Sequence, residues 1–282
     1  MSKEQFEHTL AGKVRLSGRG LHTGARCSVE IRPAEVGTGL VFIREDIESH
    51  SIIKASAGNV VSTARGTTLA VDGNGVATVE HLLSALTGMG VDNAEIAVTG
   101  PEVPILDGSA APFAEAVASA GLALQDAPRR IVRLRGTVSV TDPSSGSYIT
   151  IEPSDEPSCT LTIDFGTPVP GVQTVSCDDG TDYRKEIAPC RTFCFFKEIE
   201  PLLKAGLIKG GSLENAVIIT SDGYMGNLPL RFPDECGRHK MLDLIGDLRL
   251  CGGFLQAKVT AYKPGHSINV KAASAIIENL LK

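Results

Sequence analysis

The sequence predicts a duplicated α+β fold. Short β-prone runs bounded by turn residues alternate with longer amphipathic segments along all 282 residues. The same plan, β-hairpins followed by long helices, occurs in both halves, although the residues themselves do not repeat. The 30 glycines and 15 prolines supply many turns, and a 42% hydrophobic chain of this length can fill one large or two ordinary cores.

The first half predicts short strands and two helices. Glycine-rich residues 18–24 predict a hairpin loop rather than a dinucleotide-binding motif, because the third glycine is misplaced and no long helix follows. The Asp72-Gly73-Asn74-Gly75 stretch predicts a hairpin turn. The predicted strands are 29–31, 39–43 and 94–98, and the predicted helices are 77–86, with Thr78 near its N-cap, and 112–120.

The second half begins after residues 121–130, which lack periodicity and predict a linker. We therefore place domain 1 at residues 1–126 and domain 2 at residues 127–282. The predicted strands are 131–134, 137–140, 148–152, 160–165, 192–196, 216–220, 256–261 and 267–271. The predicted helices are 199–205, 234–250 and 273–281, and a turn is predicted at 263–266.

The composition excludes several classes of function. The net charge is −6 and no basic patch is present, so we expect no nucleic-acid partner. Seven scattered cysteines without a CxxC motif argue against a disulfide framework and favour a reducing, cytoplasmic compartment. We expect no signal peptide in the polar N-terminus and no transmembrane segment, since no apolar run approaches about 20 residues.

The stretch 238–247 carries half of a candidate zinc site. On a helix, His239 and Asp243 stand at i and i+4 on one face, where they can supply two ligands. The alternative is a buried histidine capped by an aspartate. His81 lies in an otherwise apolar predicted helix, where a histidine is usually a core residue with its hydrogen bonds satisfied. Together the three residues would make a His2Asp site with an open fourth position for water, as in catalytic zinc sites.

Three further residues suit acid–base chemistry beside such a site. Glu80 directly precedes His81 and could reach the metal-bound water as a general base. His266 lies on a predicted Pro-Gly turn that presents its side chain, so it could protonate a leaving amine. Asp247, one helical turn beyond Asp243, could hold His266 in its charged form. The HExxH pattern of many zinc peptidases is absent.

Eight motifs resemble the UDP-3-O-acyl-N-acetylglucosamine deacetylase family, and the resemblance covers nearly the whole chain. The motifs are Thr-Val-Glu-His at 78–81, Arg-Thr-Phe-Cys-Phe at 191–195, His-Lys-x-x-Asp-x-x-Gly-Asp at 239–247, Gly-His-Ser-Ile-Asn-Val at 265–270, Gly-Leu-His-Thr-Gly at 20–24, Pro-Ile-Leu-Asp-Gly-Ser at 104–109, Lys-Gly-Gly-Ser-Leu at 209–213 and Leu-Arg-Phe at 230–232. The resemblance implies hydrolysis of the N-acetyl group of an acylated UDP-sugar, which is the committed step of lipid A synthesis in Gram-negative bacteria.

The resemblance also implies the architecture. The family has two α+β domains of similar topology, each a sheet packed on helices with a small insert, and the active site lies between them. The second insert would be a βαβ unit at about 192–220 that forms a passage for the acyl chain. The alternative is that the apolar residues of this unit belong to an ordinary hydrophobic core. The candidate wall residues are Phe196, Ile199, Leu202, Leu207, Leu213 and Ile218.

By resemblance, His81, His239 and Asp243 hold Zn2+, with Fe2+ as an alternative in the cell, and Glu80, His266 and Asp247 have the roles given above. Thr192 is expected to polarise the amide oxygen. The expected contacts with sugar, diphosphate or uracil are Lys240, Lys263, Phe165, Phe193 and Glu198. The chain departs from the family at Ser147, where some members have a basic residue, and at Glu198, where Asp is common.

Two rival functions remain open at this point. The metal site alone would permit a zinc amidohydrolase that acts on another N-acetylated substrate or on a peptide. A lipid-binding or structural module with a closed zinc site is the non-enzymatic alternative, but such a site would not need Glu80 and His266. The expected partner is a small acylated UDP-sugar, and a monomer is expected.

Overall fold

The computed structural model describes residues 6–48, 51–226 and 229–281, and it confirms the predicted α+β class. The strands are β1 (Phe6–Leu10), β2 (Val14–Arg19), β3 (Arg26–Pro33), β4 (Leu40–Arg44), β5 (Ile52–Lys54), β6 (Val60–Ser62), β7 (Thr68–Val71), β8 (Asn74–Val76), β9 (Ala94–Thr99), β10 (Leu122–Pro128), β11 (Ile131–Arg133), β12 (Val138–Asp142), β13 (Ser147–Pro153), β14 (Ser158–Ile163), β15 (Gln173–Asp178), β16 (Phe193–Phe195), β17 (Val217–Ile219), β18 (Tyr224–Met225) and β19 (Phe254–Tyr262). The helices are α1 (Glu80–Gly88), α2 (Ala111–Ala120), α3 (Tyr183–Glu186), α4 (Phe196–Lys204), α5 (Glu235–Leu248) and α6 (His266–Leu281).

Two sheets have the same strand order. The first is β2-β3-β9-β4-β5 and the second is β12-β13-β19-β14-β15, with β11 added beside β19. In both sheets, a strand from late in that half of the chain (β9 or β19) lies between two hairpins. It is antiparallel to the last strand of the first hairpin (β3 or β13) and parallel to the first strand of the second hairpin (β4 or β14). This shared order agrees with the duplication predicted from the pattern of elements.

Helices from both halves meet between the sheets. In β3, Val29 and Ile31 are fully buried while Glu30 between them is not, which is the period of two for a sheet with one core face. Helix α1 packs against α5, and α6 packs against α5, β12 and β13. The crossing of α1 and α5 is the feature that positions the site, because each helix carries part of it.

Each half also carries a small sheet. Strands β6-β7-β8 form one, and its β7–β8 turn has Asp72 and Gly73 at positive φ, as predicted for this hairpin. Strands β16 and β17 are parallel and joined through α4, with β18 antiparallel at the edge. The predicted βαβ unit is therefore confirmed.

Two predicted elements were wrong. Residues 121–130 are not a linker, since β10 pairs with β1 and its residues alternate between exposed and half-buried. The boundary placed after residue 126 falls inside β10 and stays a prediction. Residues 267–271 are not a strand but the first turns of α6, because Ile268, Ala272 and Ile276 repeat every four residues on one buried face.

No helix in the ranges that the structure describes is long and apolar enough to cross a membrane.

Candidate metal and catalytic site

The site forms where α1 crosses α5. Residue Gly246 permits the close approach, because a Cβ there would lie 2.1 Å from the carbonyl oxygen of Glu80. Thr78, two residues before the start of α1, has a φ of +57°, and its hydroxyl donates a hydrogen bond to the buried carboxylate of Glu102. The helix begins at Glu80 rather than at Thr78, so Glu80 and His81 occupy its first turn and face α5.

Three predicted ligands converge. The Nε2 atoms of His81 and His239 lie 3.6 and 3.4 Å from Oδ1 of Asp243, and the two rings meet edge to face. All three side chains are buried. Asp243 Oδ1 has no hydrogen-bond partner although it is buried, which is costly unless a cation completes it. Ligands about 2 Å from a tetrahedral zinc lie about 3.3 Å apart, so these donors fit a metal ion.

Hydrogen bonds fix the state of these ligands. The Nδ1 of His239 lies 3.0 Å from the carbonyl oxygen of Cys190, so Nδ1 carries the proton and Nε2 is left as a ligand. Burial lowers the pKa of His239 to about 3, which keeps the imidazole neutral. Burial alone would raise the pKa of Asp243, but the positive charges of Lys240 and His266 help to hold it well below its usual range.

The predicted acid–base pair lies beside the ligands. Oε1 of Glu80 is 3.9 Å from Nε2 of His266, and the same nitrogen is 3.9 Å from Oδ2 of Asp243. Asp247 accepts a hydrogen bond of 2.9 Å from Nδ1 of His266. His266 is the first residue of α6, not a residue of an isolated turn. These contacts leave Nε2 as the imidazole nitrogen that faces the site.

Burial and charge act in opposite directions on the pair. Burial raises the pKa of Glu80 above its usual value although the charge of His266 opposes the increase, and the carboxylates of Asp247 and Asp243 add to it. Burial would lower the pKa of His266, but the charges of Asp247, Glu80 and Asp243 raise it to about 9. A carboxylate with raised basicity and a cationic imidazole are the protonation states that a general base and a general acid require.

The expected substrate contacts divide into two groups. Lys240 bonds Oδ2 of Asp243 at 2.8 Å and lies over the ring of Phe193, whose centroid is 6.0 Å from that of His239. Phe165 packs edge-on against Phe193. Lys263 and Glu198 form ion pairs with residues outside the candidate metal cluster. Lys263 lies 3.4 Å from Asp164, and Glu198 pairs with Arg65 at 2.9 Å. Ser147, at the departure from the family, donates its hydroxyl to the Lys263 carbonyl.

A buried ion pair connects the segment just before β16 to the start of α5. Arg191 makes two hydrogen bonds to the carboxylate of Glu235, at 2.8 and 3.0 Å, and Glu235 also accepts the backbone N–H of Arg191 and of Arg231. Because Arg191 directly precedes Thr192 and Glu235 lies on the helix that carries His239 and Asp243, the pair links the Thr192 segment to α5.

Replacing Glu235 with alanine is expected to destabilise the protein by about 3–5 kcal/mol, because it leaves a buried guanidinium without its counter-charge. Urea unfolding measures the effect. The matched control is Glu115→Ala, which breaks the exposed pair with Arg184 and should leave the unfolding midpoint in place. Equal midpoints for the two variants would contradict the prediction.

An apolar cavity of about 290 Å³ is lined in part by Phe193, whose ring centroid lies 6.0 Å from that of the candidate ligand His239. Thr192 and Phe193 form part of its wall, and so do Leu21 and His22 of the 20–24 loop. Four of the six predicted wall residues line it, namely Ile199, Leu202, Leu213 and Ile218. Phe196 and Leu207 do not: Phe196 begins α4 with 54% of its surface exposed, and Leu207 follows the end of that helix.

Three polar residues near the site were missed by sequence reasoning. Thr67 contacts both Glu80 and Asp247, Asn269 donates to Asp247 Oδ2, and Glu102 accepts from Thr78 and from the backbone of the 20–24 loop. Asn269 lies within the Gly-His-Ser-Ile-Asn-Val motif, and its i+3 spacing from His266 is a signal on a helix. No local pattern marks Thr67 or Glu102, because their partners are distant in sequence.

Comparison with known proteins gives matches over nearly the whole of this chain. A sequence model of the family described as UDP-3-O-acyl N-acetylglycosamine deacetylase (LpxC) matches residues 7–278. The chain is 44% identical to the UDP-3-O-acyl-N-acetylglucosamine deacetylase of Myxococcus xanthus over 274 residues, 97% of this chain and 87% of the relative. A protein of the same name from Nostoc sp. is 41% identical over 275 residues, 96% of this chain and 98% of the relative. The bifunctional enzyme LpxC/FabZ of Chlorobaculum tepidum is 38% identical over 292 residues, which span 94% of this chain and 62% of that protein.

Proposed function

The chain belongs to the UDP-3-O-acyl-N-acetylglucosamine deacetylase family, and we propose how its own residues carry out the reaction. The protein is an amidohydrolase that removes the N-acetyl group of UDP-3-O-acyl-N-acetylglucosamine in lipid A biosynthesis. One observation carries the residue assignment: the three candidate ligands, Glu80 and His266 converge on one small volume where two helices cross. Deacetylase assays on single variants, described below, test it.

We assign the metal ion to His81, His239 and Asp243. The support is the convergence of three donor atoms, one of them a buried carboxylate oxygen without any other partner. Two imidazole nitrogens and one carboxylate oxygen suit Zn2+, which is the metal we propose, and Fe2+ accepts the same ligands. The ion would supply a Lewis acid for the amide carbonyl and a water of lowered pKa.

The protein groups move the two protons of the hydrolysis. Glu80 takes a proton from the attacking water, and His266 gives one through Nε2 to the leaving amine, so that acetate and the free amine are released. Asp247 holds Nδ1 of His266 at 2.9 Å and thereby keeps Nε2 directed at the substrate.

Thr192 and a set of charged and aromatic side chains are assigned to substrate binding and orientation. Both backbone polar groups of Thr192 are used, since its N–H donates to Gly108 and its carbonyl accepts from Val217. These bonds fix the backbone of Thr192, and we assign its hydroxyl to donate to the amide oxygen as negative charge develops there. We place the sugar and diphosphate against Lys240, Lys263, Phe193 and Phe165, and Glu198 at the edge of the same surface.

The apolar cavity is the proposed binding site of the acyl chain. Thr192 and Phe193, which we assign to the acetamide and the sugar, also line this cavity, so an acyl group on the same sugar can enter it. Ile199, Leu202, Leu213 and Ile218 offer only apolar surface, and each methylene buried there contributes about 0.8 kcal/mol. A substrate without a long acyl chain cannot use this contribution, which disfavours other N-acetylated compounds and peptides.

Replacing Leu213 with tryptophan is expected to lower kcat/KM for a long-chain substrate about 10-fold or more, because the larger ring fills part of the cavity. Leu213 is 48% exposed, so the fold tolerates the change. Steady-state assays with long-chain and short-chain substrates measure the difference, and the short-chain rate should hardly change. The control is Val172→Trp, at an exposed position outside the cavity. Equal losses for both substrates would contradict the assignment of the cavity.

We further propose that the protein acts as a monomer in the cytoplasm, and that residues 1–126 and 127–282 are its two domains. All groups assigned to the reaction come from one chain. The seven cysteines are free in the structure, as expected in a reducing compartment.

A further inference from the structure

Thr67 links the two groups that move protons. We propose that Thr67 is a positioning residue, which fixes the general base and the partner of the general acid relative to each other. The inference rests on the roles proposed above for Glu80 and His266. It assigns a function to a residue that neither contacts the candidate metal nor lines the acyl cavity.

The backbone of Thr67 is fastened to the start of α1. Thr67 lies between β6 and β7 and is fully buried. Its N–H donates to Oε2 of Glu80 at 2.9 Å, and its carbonyl accepts from the N–H of Val79 at 3.2 Å. The Glu80 carboxylate is therefore held through one oxygen, while its other oxygen, Oε1, faces His266.

The neighbouring glycine completes this arrangement. A Cβ on Gly66 would lie 3.1 Å from Oε1 of Glu80, which is tighter than an ordinary contact. A side chain at position 66 would therefore press on the oxygen that faces the site. The absence of a side chain at Gly66 and the N–H of Thr67 together determine where both carboxylate oxygens of Glu80 lie.

The side chain of Thr67 reaches the other half of the chain. Its hydroxyl lies 2.6 Å from Oδ1 of Asp247, 180 residues away. A carboxylate only accepts hydrogen bonds, so the hydroxyl is the donor, and the short distance is typical of a charge-assisted bond. The other oxygen of Asp247 accepts from Nδ1 of His266 and from Asn269, each at 2.9 Å.

The consequence is a fixed carboxylate. Asp247 is fully buried, so an oxygen deprived of its donor cannot turn to water for a replacement. Without the Thr67 hydroxyl, the carboxylate can rotate to recover a bond, and its contact with His266 Nδ1 is disturbed. The effect on the reaction would be on turnover, since the metal ligands and the acyl cavity keep their contacts.

The test compares Thr67→Val, which keeps the shape and the N–H but removes the hydroxyl, with Thr67→Ser, which keeps both polar groups. We expect Thr67→Val to lower kcat about 10- to 100-fold with KM within about twofold of wild type, the range for residues that orient site groups. Thr67→Ser should stay within about threefold of wild type. Thr67→Ala also removes the hydroxyl, and it replaces the valine variant if that variant does not fold.

Thr87→Val is the matched control, because Thr87 is a buried residue of α1 whose hydroxyl donates to the Leu83 carbonyl away from the site. It should keep wild-type kcat. Adding Thr67→Val to Asp247→Ala should cause little further loss, since both act through the same carboxylate. A wild-type kcat for Thr67→Val, a further loss of the full size in the double variant, or no rescue by serine would overturn the inference.

The result for His266→Gln distinguishes a failure of the proposed acid role from a failure of the positioning role of Thr67. If His266→Gln is slow while Thr67→Val is unimpaired, the acid role stands and only the role of Thr67 is wrong. If His266→Gln keeps the wild-type rate, the proposed acid role fails, and the positioning role of Thr67 fails with it.

Discussion

Removal of the metal is expected to lower deacetylation at least about 100-fold, and stoichiometric Zn2+ should restore it. The physical reason is the stabilisation of developing charge by a bound ion, which is worth several kcal/mol, and 1.36 kcal/mol corresponds to a factor of ten in rate. The donors are already in place, since Asp243 Oδ1 lies 3.4 and 3.6 Å from the two imidazole nitrogens. Dialysis against a chelator, elemental analysis and an assay on the UDP-sugar measure the effect.

Variants test whether the metal is bound where we place it. His239→Gln should lose bound metal and activity together, because it removes one of three donors. His8→Gln, at a histidine outside the cluster, should keep both. Undiminished activity in protein shown to be metal-free would exclude the proposed metal chemistry. Full metal content in the His239 variant would place the ion elsewhere.

The local part of the site could be predicted from the sequence. The i and i+4 spacing of His239 and Asp243 determines their positions on one face of α5, whatever the rest of the chain does. His81 stood out as an imidazole among apolar residues, and the structure brings it to the same point. The position of Glu80 in the first turn of α1 followed from its place next to His81.

The non-local part could not be predicted. Strand β10 has no strong hydrophobic pattern and depends on pairing with β1, more than a hundred residues earlier. The first turns of α6 contain Ile268 and Val270, whose β-branched side chains favour a strand when only a few residues are considered. The hydroxyl of Thr67 finds its partner 180 residues away, and a threonine in a loop has no feature that reveals such a bond.

The walls of the acyl cavity could likewise be predicted only in part, because they depend on tertiary packing. Apolar residues of the βαβ unit could be named from the sequence, but which of them face inward depends on how α4 packs. Ile199 and Leu202 line the cavity while Phe196 is exposed on the same helix. The contribution of Leu21 and His22 comes from the other half of the chain.

Loss of either proton-transfer group, Glu80 or His266, is expected to lower kcat strongly. Glu80→Gln and His266→Gln keep the shape of a hydrogen-bonding side chain but cannot exchange the proton. Each should therefore reduce kcat about 100-fold or more, the usual contribution of a general base or acid. Rapid-quench or steady-state assays on fully metallated variants give the comparison. Metal content should stay at the wild-type level, because neither residue is among the three ligands.

A control variant and a double variant distinguish a loss of proton transfer from structural damage. Glu115→Gln, an exposed carboxylate far from the cluster in sequence, is the control for the amide substitution and should keep wild-type kcat. Because Glu80 Oε1 and His266 Nε2 lie 3.9 Å apart and face the same volume, their substitutions should not be additive in the double variant. A wild-type rate in either single variant would remove that residue from the mechanism. A loss of metal in Glu80→Gln would instead make Glu80 a fourth ligand, and the base would have to be sought elsewhere in the site.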